Sequence, residues 1–479
     1  MIRIYLDWNV ISNLKRPEFK EILDFISKHK EYLQFPYSPA HLSDLMKSYT
    51  PDNELFYTDL DMLQYLSETH LLRWENGATK PLLGTPKEYF ESTKDNKDNS
   101  DLFDFDKVFK TLDDSAASLG LGEISGLMKS ILEVPSGIDI NEENRDILEK
   151  MFPNLPANST VWDLIKEIGP FSKKLLEDGA YYKNFRKIMV GQGFKLEANS
   201  GNWSYDTVIK NIDAFLIKFG TEMTYLDYIE SRFKNRKEPI THYEYYTTAY
   251  LLLDLVGYKV DKLPKPSDNL GNIRADGEHS FYAAHCDYFV AIDKKLRIKS
   301  KVLYNEFKVS TKIIEPEELI SELTKVLDDV SSKDDLFEKA ISFYDQEFYV
   351  GSRPLENEEG IDTYLFHLPK FYFNYFNFMI YCAYPEHDGF VLTFRKGYTN
   401  FSEFTFYTEN VTLINTVCQY FGYTDSKELE QKLNEFVYTE NEITFDWSFN
   451  GGMIRLEREE ETKNPILKYF IVNLDKKSD

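Results

Sequence analysis

The chain lacks the features that mark secreted, membrane-spanning and nucleic-acid-coating proteins. Three cysteines, Cys286, Cys382 and Cys418, are all it has in 479 residues. They supply neither a disulfide framework nor a thiolate zinc site. The opening MIRIYLDWNV shows no basic leader followed by an apolar run and a small-residue cleavage site, so no signal peptide is expected. The longest apolar stretch, around Tyr250 to Val256, is broken by Asp254 and is far too short to span a bilayer. Positive charge is also scarce. The 56 Lys and Arg stand against 80 Asp and Glu, a formal charge of −24, which argues against a protein that simply coats nucleic acid. No internal repeat, Walker sequence, full dinucleotide fingerprint, Ser/His/Asp set or Cys/His set is legible, and Gly191-Gln192-Gly193 reads as a loop. What remains is 42% hydrophobic and 15% aromatic, ample for real cores. At roughly 100–200 residues per domain the length allows two to four domains. A reducing cytoplasm and no membrane partner are expected.

The negative charge is unevenly spread. Between Lys183 and Lys312 there are 21 Lys/Arg and 16 Asp/Glu, a local +5 that leaves −29 for the rest. The densest runs are Arg232 to Lys237 and the series Lys294, Lys295, Arg297, Lys299 and Lys301. Either run is a solvated helix face or a surface for a polyanion.

The element pattern opens as α/β. Ile2 to Leu6 is a short buried-strand pattern that stops at Asp7, and a helix begins at Asn9. Glu18 to Lys28 has helical spacing, and Tyr32 to Phe35 is a second strand. Ser38-Pro39 is an N-cap and first-turn proline for a helix over Ala40 to Ser48. Strand, helix, strand, helix predicts a parallel sheet. From about Thr50 to Pro239 the expectation is mostly helix, with amphipathic Leu55 to Leu72 and Phe103 to Leu119. The α/β rhythm then returns: a helix over Asp276 to His285, a strand over Tyr288 to Ile292, a helix over Lys294 to Phe307, and a strand over Ser310 to Ile314. The domain begun at residue 1 therefore ends near residue 330, interrupted by a helical insertion. The expected division is 1–75, 76–238, 239–330 and 331–479, the last an aromatic, strand-rich α+β domain of unknown role.

Four acids fall where a parallel sheet presents its strand ends and helix starts: Asp7, Asp44, Asp276 and Asp293. Strand C-termini and adjoining helix starts in such sheets border one crevice. Clustered carboxylates raise one another's pKa and cannot all stay ionised unaided. Hard divalent cations relieve this, and Mg²⁺ or Mn²⁺ held by carboxylates binds phosphate oxygens as well. The implied reaction is metal-assisted phosphodiester hydrolysis.

The segment IYLDWNVISNL resembles the N-terminal motif of the PIN domain family, in which a strand ends in Asp, followed two residues later by Asn and then a helix. DGEHSFYAAHCDYFVAIDKKLRIKSKVL is similar to that family's C-terminal motif, and STKIIEPEEL resembles its closing strand and Pro-Glu helix start. The resemblance covers residues 1–75 and 240–328, under half the chain. It implies a PIN-like three-layer α/β/α fold and a metal-dependent nuclease, most often a ribonuclease, of toxin or antiviral-defence type. By position it makes Asp7, Asp276 and Asp293 metal ligands. Asp44 is the weaker match, because the family usually has Glu there, and His41 and Glu54 are alternatives. Trp8 departs from the usual small residue, and the insertion is larger than a compact member carries.

Each residue also has a structural reading. Asp7 at a strand end is a turn former, Asp276 an N-cap, Asp44 an exposed helix residue, and Asp287 a cap on the strand entry. Asn9 is expected to orient Asp7. His279, three residues after Asp276, is either a substrate contact or a satisfied structural histidine. Lys294, Lys295 and Arg297 are candidate phosphate contacts. Tyr243, Tyr245, Tyr246 and Tyr250 are base-stacking faces or, by their helical spacing, core. RNA is the expected substrate ahead of DNA, and the C-terminal domain is a candidate protein-docking module. Two other readings stay open: a PIN-like scaffold that has lost metal, and a nuclease held quiet by its own extra domains.

Overall fold

The computed structural model describes residues 1–94, 145–156, 158–191, 196, 200–218, 220, 223–233, 239–259, 269–328, 336–355, 361–384, 389–397, 404–423, 426–439 and 441–472. The expected helix Phe103 to Leu119, the Gly191–Gly193 loop beyond its first residue, and Lys234 to Lys237 of the basic run lie outside these residues. The protein is mixed α/β. It forms two compact units, one of Met1–Lys87, Ser280–Arg297 and Phe307–Asp479, the other of Glu88–His279 and Ile298–Glu306.

The first unit opens on β1 (Ile2–Leu6), whose five residues are all buried. A strand buried on both faces suits the centre of a parallel sheet. It pairs in parallel with β2 (Leu33–Gln34) on one side. After a hairpin of β3 (His70–Glu75) and β4 (Ala78–Leu83), β5 (Tyr288–Val290) pairs in parallel on its other side and β6 (Lys312–Ile314) completes the order β2-β1-β5-β6. The order reverses between β1 and β5, which makes the C-terminal ends of those two strands the switch point of the sheet. Each fully buried Ile or Leu of β1 contributes about 1.5–3 kcal/mol. The registers Ile4–Tyr288, Tyr5–Phe289 and Leu6–Val290 bring the two ends level.

The β3–β4 hairpin corrects the expectation of continuous helix after Thr50. The helix Glu54–Ser67 ends as expected of an amphipathic segment, but His70 begins a strand. The turn is Asn76-Gly77, with φ +51° and +81°. Both residues tolerate the left-handed conformation that a two-residue type I′ turn demands. A parallel bridge between Tyr37 and Leu71 ties the hairpin to the chain leaving β2.

The remaining strands are β7 (Tyr349–Pro354), β8 (Asp362–Tyr372), β9 (Phe376–Tyr384), β10 (Gly389–Arg395), β11 (Phe445–Phe449), β12 (Gly452–Arg458) and β13 (Pro465–Val472). They form a seven-stranded antiparallel sheet in the order β11-β12-β13-β10-β9-β8-β7. The expected aromatic run Phe371 to Tyr381 is two strands, broken where Phe373 and Asn374 take φ of +53° and +52°. The helices Tyr407–Phe421 and Ser426–Tyr438 contribute Leu413, Ile414, Val417, Cys418 and Phe436 to one core with Phe376, Met379, Leu392, Phe394, Leu456 and Tyr469 of the sheet.

Within this unit the two sheets are joined by buried charge. Arg3 of β1 donates from Nε to both oxygens of Glu409 at 3.1 Å and from Nη2 to Oε2 at 2.6 Å. Lys396 Nζ donates to Glu409 Oε1 at 3.2 Å and to the Met1 carbonyl at 2.8 Å. Burial alone would raise the Glu409 pKa, but Arg3 and Lys396 hold the carboxyl well below its usual range.

The second unit is helical among its described residues. Helices Val161–Glu177, Gly179–Gly191, Val208–Lys218, Tyr225–Phe233 and His242–Leu255 build it, and most of Leu270–Ala283 and of Lys294–Glu306 belongs to it. Tyr246 and Tyr250 are fully buried and so take the core reading rather than the base-stacking one. Lys299, part of the basic series in the sequence, is also buried and donates to Asp254 Oδ1 at 2.6 Å. Arg186 Nη1 reaches Asp254 Oδ2 at 3.1 Å. No helix among the described residues is long and apolar enough to cross a membrane.

Candidate functional site at the parallel-sheet edge

Asp7 follows the last residue of β1 and is the hinge between strand and helix. Its N–H donates to the Val290 carbonyl of β5 at 2.9 Å, continuing the sheet for one more rung. Its carbonyl then accepts from Val10 at 2.9 Å and Ile11 at 3.2 Å, the first bonds of the helix Trp8–Asn13. This double duty fixes the backbone, and the side chain is 2% exposed. Asn9 Nδ2 donates to Asp7 Oδ2 at 3.3 Å, the orienting role expected of it.

The helix Pro39–Met46 is anchored to the same place by His41. Its Nδ1 accepts from the Ser38 N–H at 3.0 Å, which makes Nε2 the protonated nitrogen facing the Leu6 carbonyl at 2.8 Å. His41 is thus a neutral, fully buried tie between the helix start and the residue before Asp7. Tyr5 supports it, its hydroxyl 2.7 Å from Ser38 Oγ and its ring centroid 4.7 Å from the His41 ring. Asp44, three residues on, lies on the same side of the helix as His41. It is 16% exposed and accepts from Lys47 Nζ at 2.6 Å. Glu54, the other alternative, is an exposed first-turn residue of its helix.

Asp293 follows β5 and is exposed. Its Oδ1 accepts from the N–H groups of Lys295 at 2.6 Å and Leu296 at 2.9 Å, capping the helix Lys294–Glu306. Arg297 turns back from that helix: Nη1 donates to the carbonyls of Ala291 at 2.7 Å and Ile292 at 2.8 Å, and Nη2 pairs with Glu315. Arg297 therefore holds the loop after β5 in shape, and Lys294 and Lys295 are the cations of the expected trio at the start of the helix. Glu315, directly after β6, is not one of the four acids singled out from the sequence. The signal that marked Asp7, an acid closing a short buried strand, marks it equally well.

Three acids thus stand beyond the C-terminal ends of three neighbouring parallel strands: Asp7 after β1, Asp293 after β5 and Glu315 after β6. Asp44 lies on the helix pinned to β1. Asp287 sits at the other end of β5, where its Oδ2 accepts from the Arg3 N–H at 2.7 Å and lies 3.5 Å from Lys396 Nζ. Asp276 and His279 belong to the helical unit. Asp276 does not start a helix, as the sequence suggested, nor cap one. Its helix begins six residues earlier at Leu270, because Asn269 accepts from the Asn272 N–H at 2.9 Å and supplies the cap. Asp276 is half-buried and His279 buried. Cys286, which burial makes a poor thiolate, is inert in this setting.

Carboxylate oxygens are the right donors for a hard divalent ion. Yet among the described residues no group of three or more His, Cys, Asp or Glu side chains is already disposed around an ion. One carboxylate oxygen of Asp44 accepts from Lys47, and one of Asp293 accepts from backbone N–H groups. No family model, curated protein or solved structure matches this chain.

Proposed function

We propose that the protein is a metal-dependent nuclease with a PIN-like parallel-sheet domain, acting on RNA in preference to DNA. The observation that supports this reading is the position of acids directly beyond the switch point of the sheet. Asp7 and Asp293 follow the two central, register-matched strands, and Asp7 is buried, backbone-locked and oriented by Asn9. A ligand-binding crevice belongs at that position in an open parallel sheet. Asp7, Asp44 and Asp293 would hold Mg²⁺ or Mn²⁺, and the expectation that Asp276 joins them rests on the sequence resemblance. A bound ion there supplies an acidified water and neutralises charge on a leaving phosphate oxygen. The chain's own residues position: His41 and Asn9 fix Asp7, Arg297 fixes the Asp293 loop, and Lys294 and Lys295 supply phosphate contacts.

Incubating the full chain with end-labelled single-stranded RNA and DNA in Mn²⁺, Mg²⁺ or EDTA tests the proposal. Cutting of RNA with either ion and none in EDTA supports it. A second reading, a PIN-like scaffold whose acids hold no metal, is favoured by the absence of a ready-made ion group among the described residues. It predicts no cutting and no rise in melting temperature with Mn²⁺, since a ligand specific to the native state must stabilise it. Toxin or antiviral-defence activity is part of the same proposal and calls for growth arrest on induction of the wild type but not of Asp7→Asn.

A further inference from the structure

The seven-stranded sheet has two unlike faces. Alternate residues of β9, β10 and β13, such as Met379, Leu392, Phe394, Leu467 and Tyr469, are buried in the core with the two covering helices. In a sheet covered on one side, the intervening residues should be polar. Here they include Phe378, Ile380, Val391 and Phe470, all half-exposed. The cross-strand registers put these residues side by side: Phe378 opposite Arg395, Ile380 opposite both Leu365 and Thr393, and Val391 opposite Phe470.

This face carries two cavities, of about 360 Å³ and 300 Å³. Both are lined by Arg353, Thr363 and Ile380, so they adjoin. The larger adds Leu365, Phe378 and Arg395, and the smaller adds Val391, Lys468 and Phe470. Among the described residues neither lining contains an Asp or Glu, although acids outnumber bases in the chain by 80 to 56. Arg395 is balanced by Glu459 at 3.2 Å and Lys468 by Glu457 at 2.5 Å. Arg353, on the edge strand β7, is exposed. Phe378 is seated by Gly397, since a Cβ there would come within 2.2 Å of the ring. The larger cavity therefore combines the side chains of Phe378, Leu365 and Ile380 with the exposed Arg353 in a volume typical of small-ligand sites.

We propose that this outward face of the antiparallel sheet binds a free mononucleotide, its phosphate held by the exposed Arg353 and its base lying against Phe378. Guanidinium groups match phosphate oxygens in a fork that lysine cannot supply. A half-exposed ring offers a stacking face to any base. The volume of about 360 Å³ is of the size of a single nucleotide. This site lies on a different sheet from the proposed nuclease edge, and a binding readout separates the two.

The test is calorimetric titration of the full-length protein with AMP, GMP, CMP, UMP and ATP, alongside a single-stranded oligonucleotide. Arg353→Ala and Phe378→Leu are titrated in parallel, with melting curves to confirm folding. At least one mononucleotide is expected to bind with a submillimolar Kd, weakened about tenfold or more in Arg353→Ala, the loss expected for one charge-assisted hydrogen bond. Phe378→Leu, which keeps the apolar bulk but removes the ring, should also weaken binding. Absence of binding by every mononucleotide, an unchanged Kd in Arg353→Ala, or binding of the oligonucleotide alone would each overturn the proposal.

Discussion

Removing the Glu409 carboxylate should cost more stability than any other single change in the first unit. Glu409 is fully buried, Arg3 is 2% exposed and Lys396 is 3% exposed. The carboxylate accepts from Arg3 at 2.6 and 3.1 Å, from Lys396 at 3.2 Å and from the Phe406 N–H at 2.9 Å. Glu409→Ala strands two cations away from water. The Lys396–Asp287 approach of 3.5 Å compensates only in part. Breaking a buried pair from one side costs about 3–5 kcal/mol. At roughly 3 kcal/mol per molar urea, the midpoint should fall by about 1–1.7 M. The assay is urea unfolding followed by tryptophan fluorescence. The double variant Arg3→Met/Glu409→Leu should recover part of the loss, because it removes one of the two stranded cations and leaves Lys396 with Asp287 as its remaining counter-charge. A midpoint shift for Glu409→Ala matching that of an exposed substitution such as Glu428→Ala would refute the reasoning.

The same group sets a pH dependence. Its folded pKa lies below the ordinary value of 4.5, so its contribution is complete above about 4.5 and is lost as the pH falls toward the folded value. Glu409→Gln should flatten the stability curve in that acid range, as urea midpoints measured from pH 6 to 3 would show. Lys299→Met in the helical unit leaves Asp254 buried with Arg186 as its remaining cation, and circular dichroism melts should report a loss of about 3 kcal/mol or more. Gly77→Ala meets no atom within 4 Å, so its cost is the backbone penalty at φ +81°, about 1–2 kcal/mol by urea unfolding. His41→Phe keeps the bulk but loses the tie to the Leu6 carbonyl. If the proposed nuclease function holds, it should lower metal-dependent cleavage by about 10–100-fold, the usual cost of losing a support behind a metal site.

The parts of the fold legible in the sequence were those with strong local patterns. Ile2 to Leu6 is buried on both faces and stops at Asp7, and the Ser38-Pro39 helix start is visible in two residues. The strand and helix flanking Asp293 read equally well, because apolar residues and a following cap punctuate them. The β3–β4 hairpin is hard to see in the sequence although Asn76-Gly77 is its turn signal, because the helical pattern of Leu55 to Leu66 runs on into Leu71 and Leu72. Asp276 looks like a helix start in the sequence because Leu270 to Ala275 follows a run rich in Pro, Asp and Asn, and Asn269 is a cap hidden at its end. Arg297 and Lys299 belonged to one basic series. Three-dimensional packing divides their roles, one bracing the Asp293 loop and the other neutralising Asp254. Their burial depends on partners more than forty residues away in the second case, which periodicity does not report.

The central claim is that the acids beyond the parallel strands make a phosphodiester-cleaving site. Cleavage of labelled single-stranded RNA by wild type and Asp7→Asn, in Mn²⁺ and at equal, folded concentrations, tests it most directly. The account predicts fragments from the wild type, none in EDTA, and none from Asp7→Asn with an unchanged circular dichroism spectrum. Equal cutting by the two proteins would contradict it.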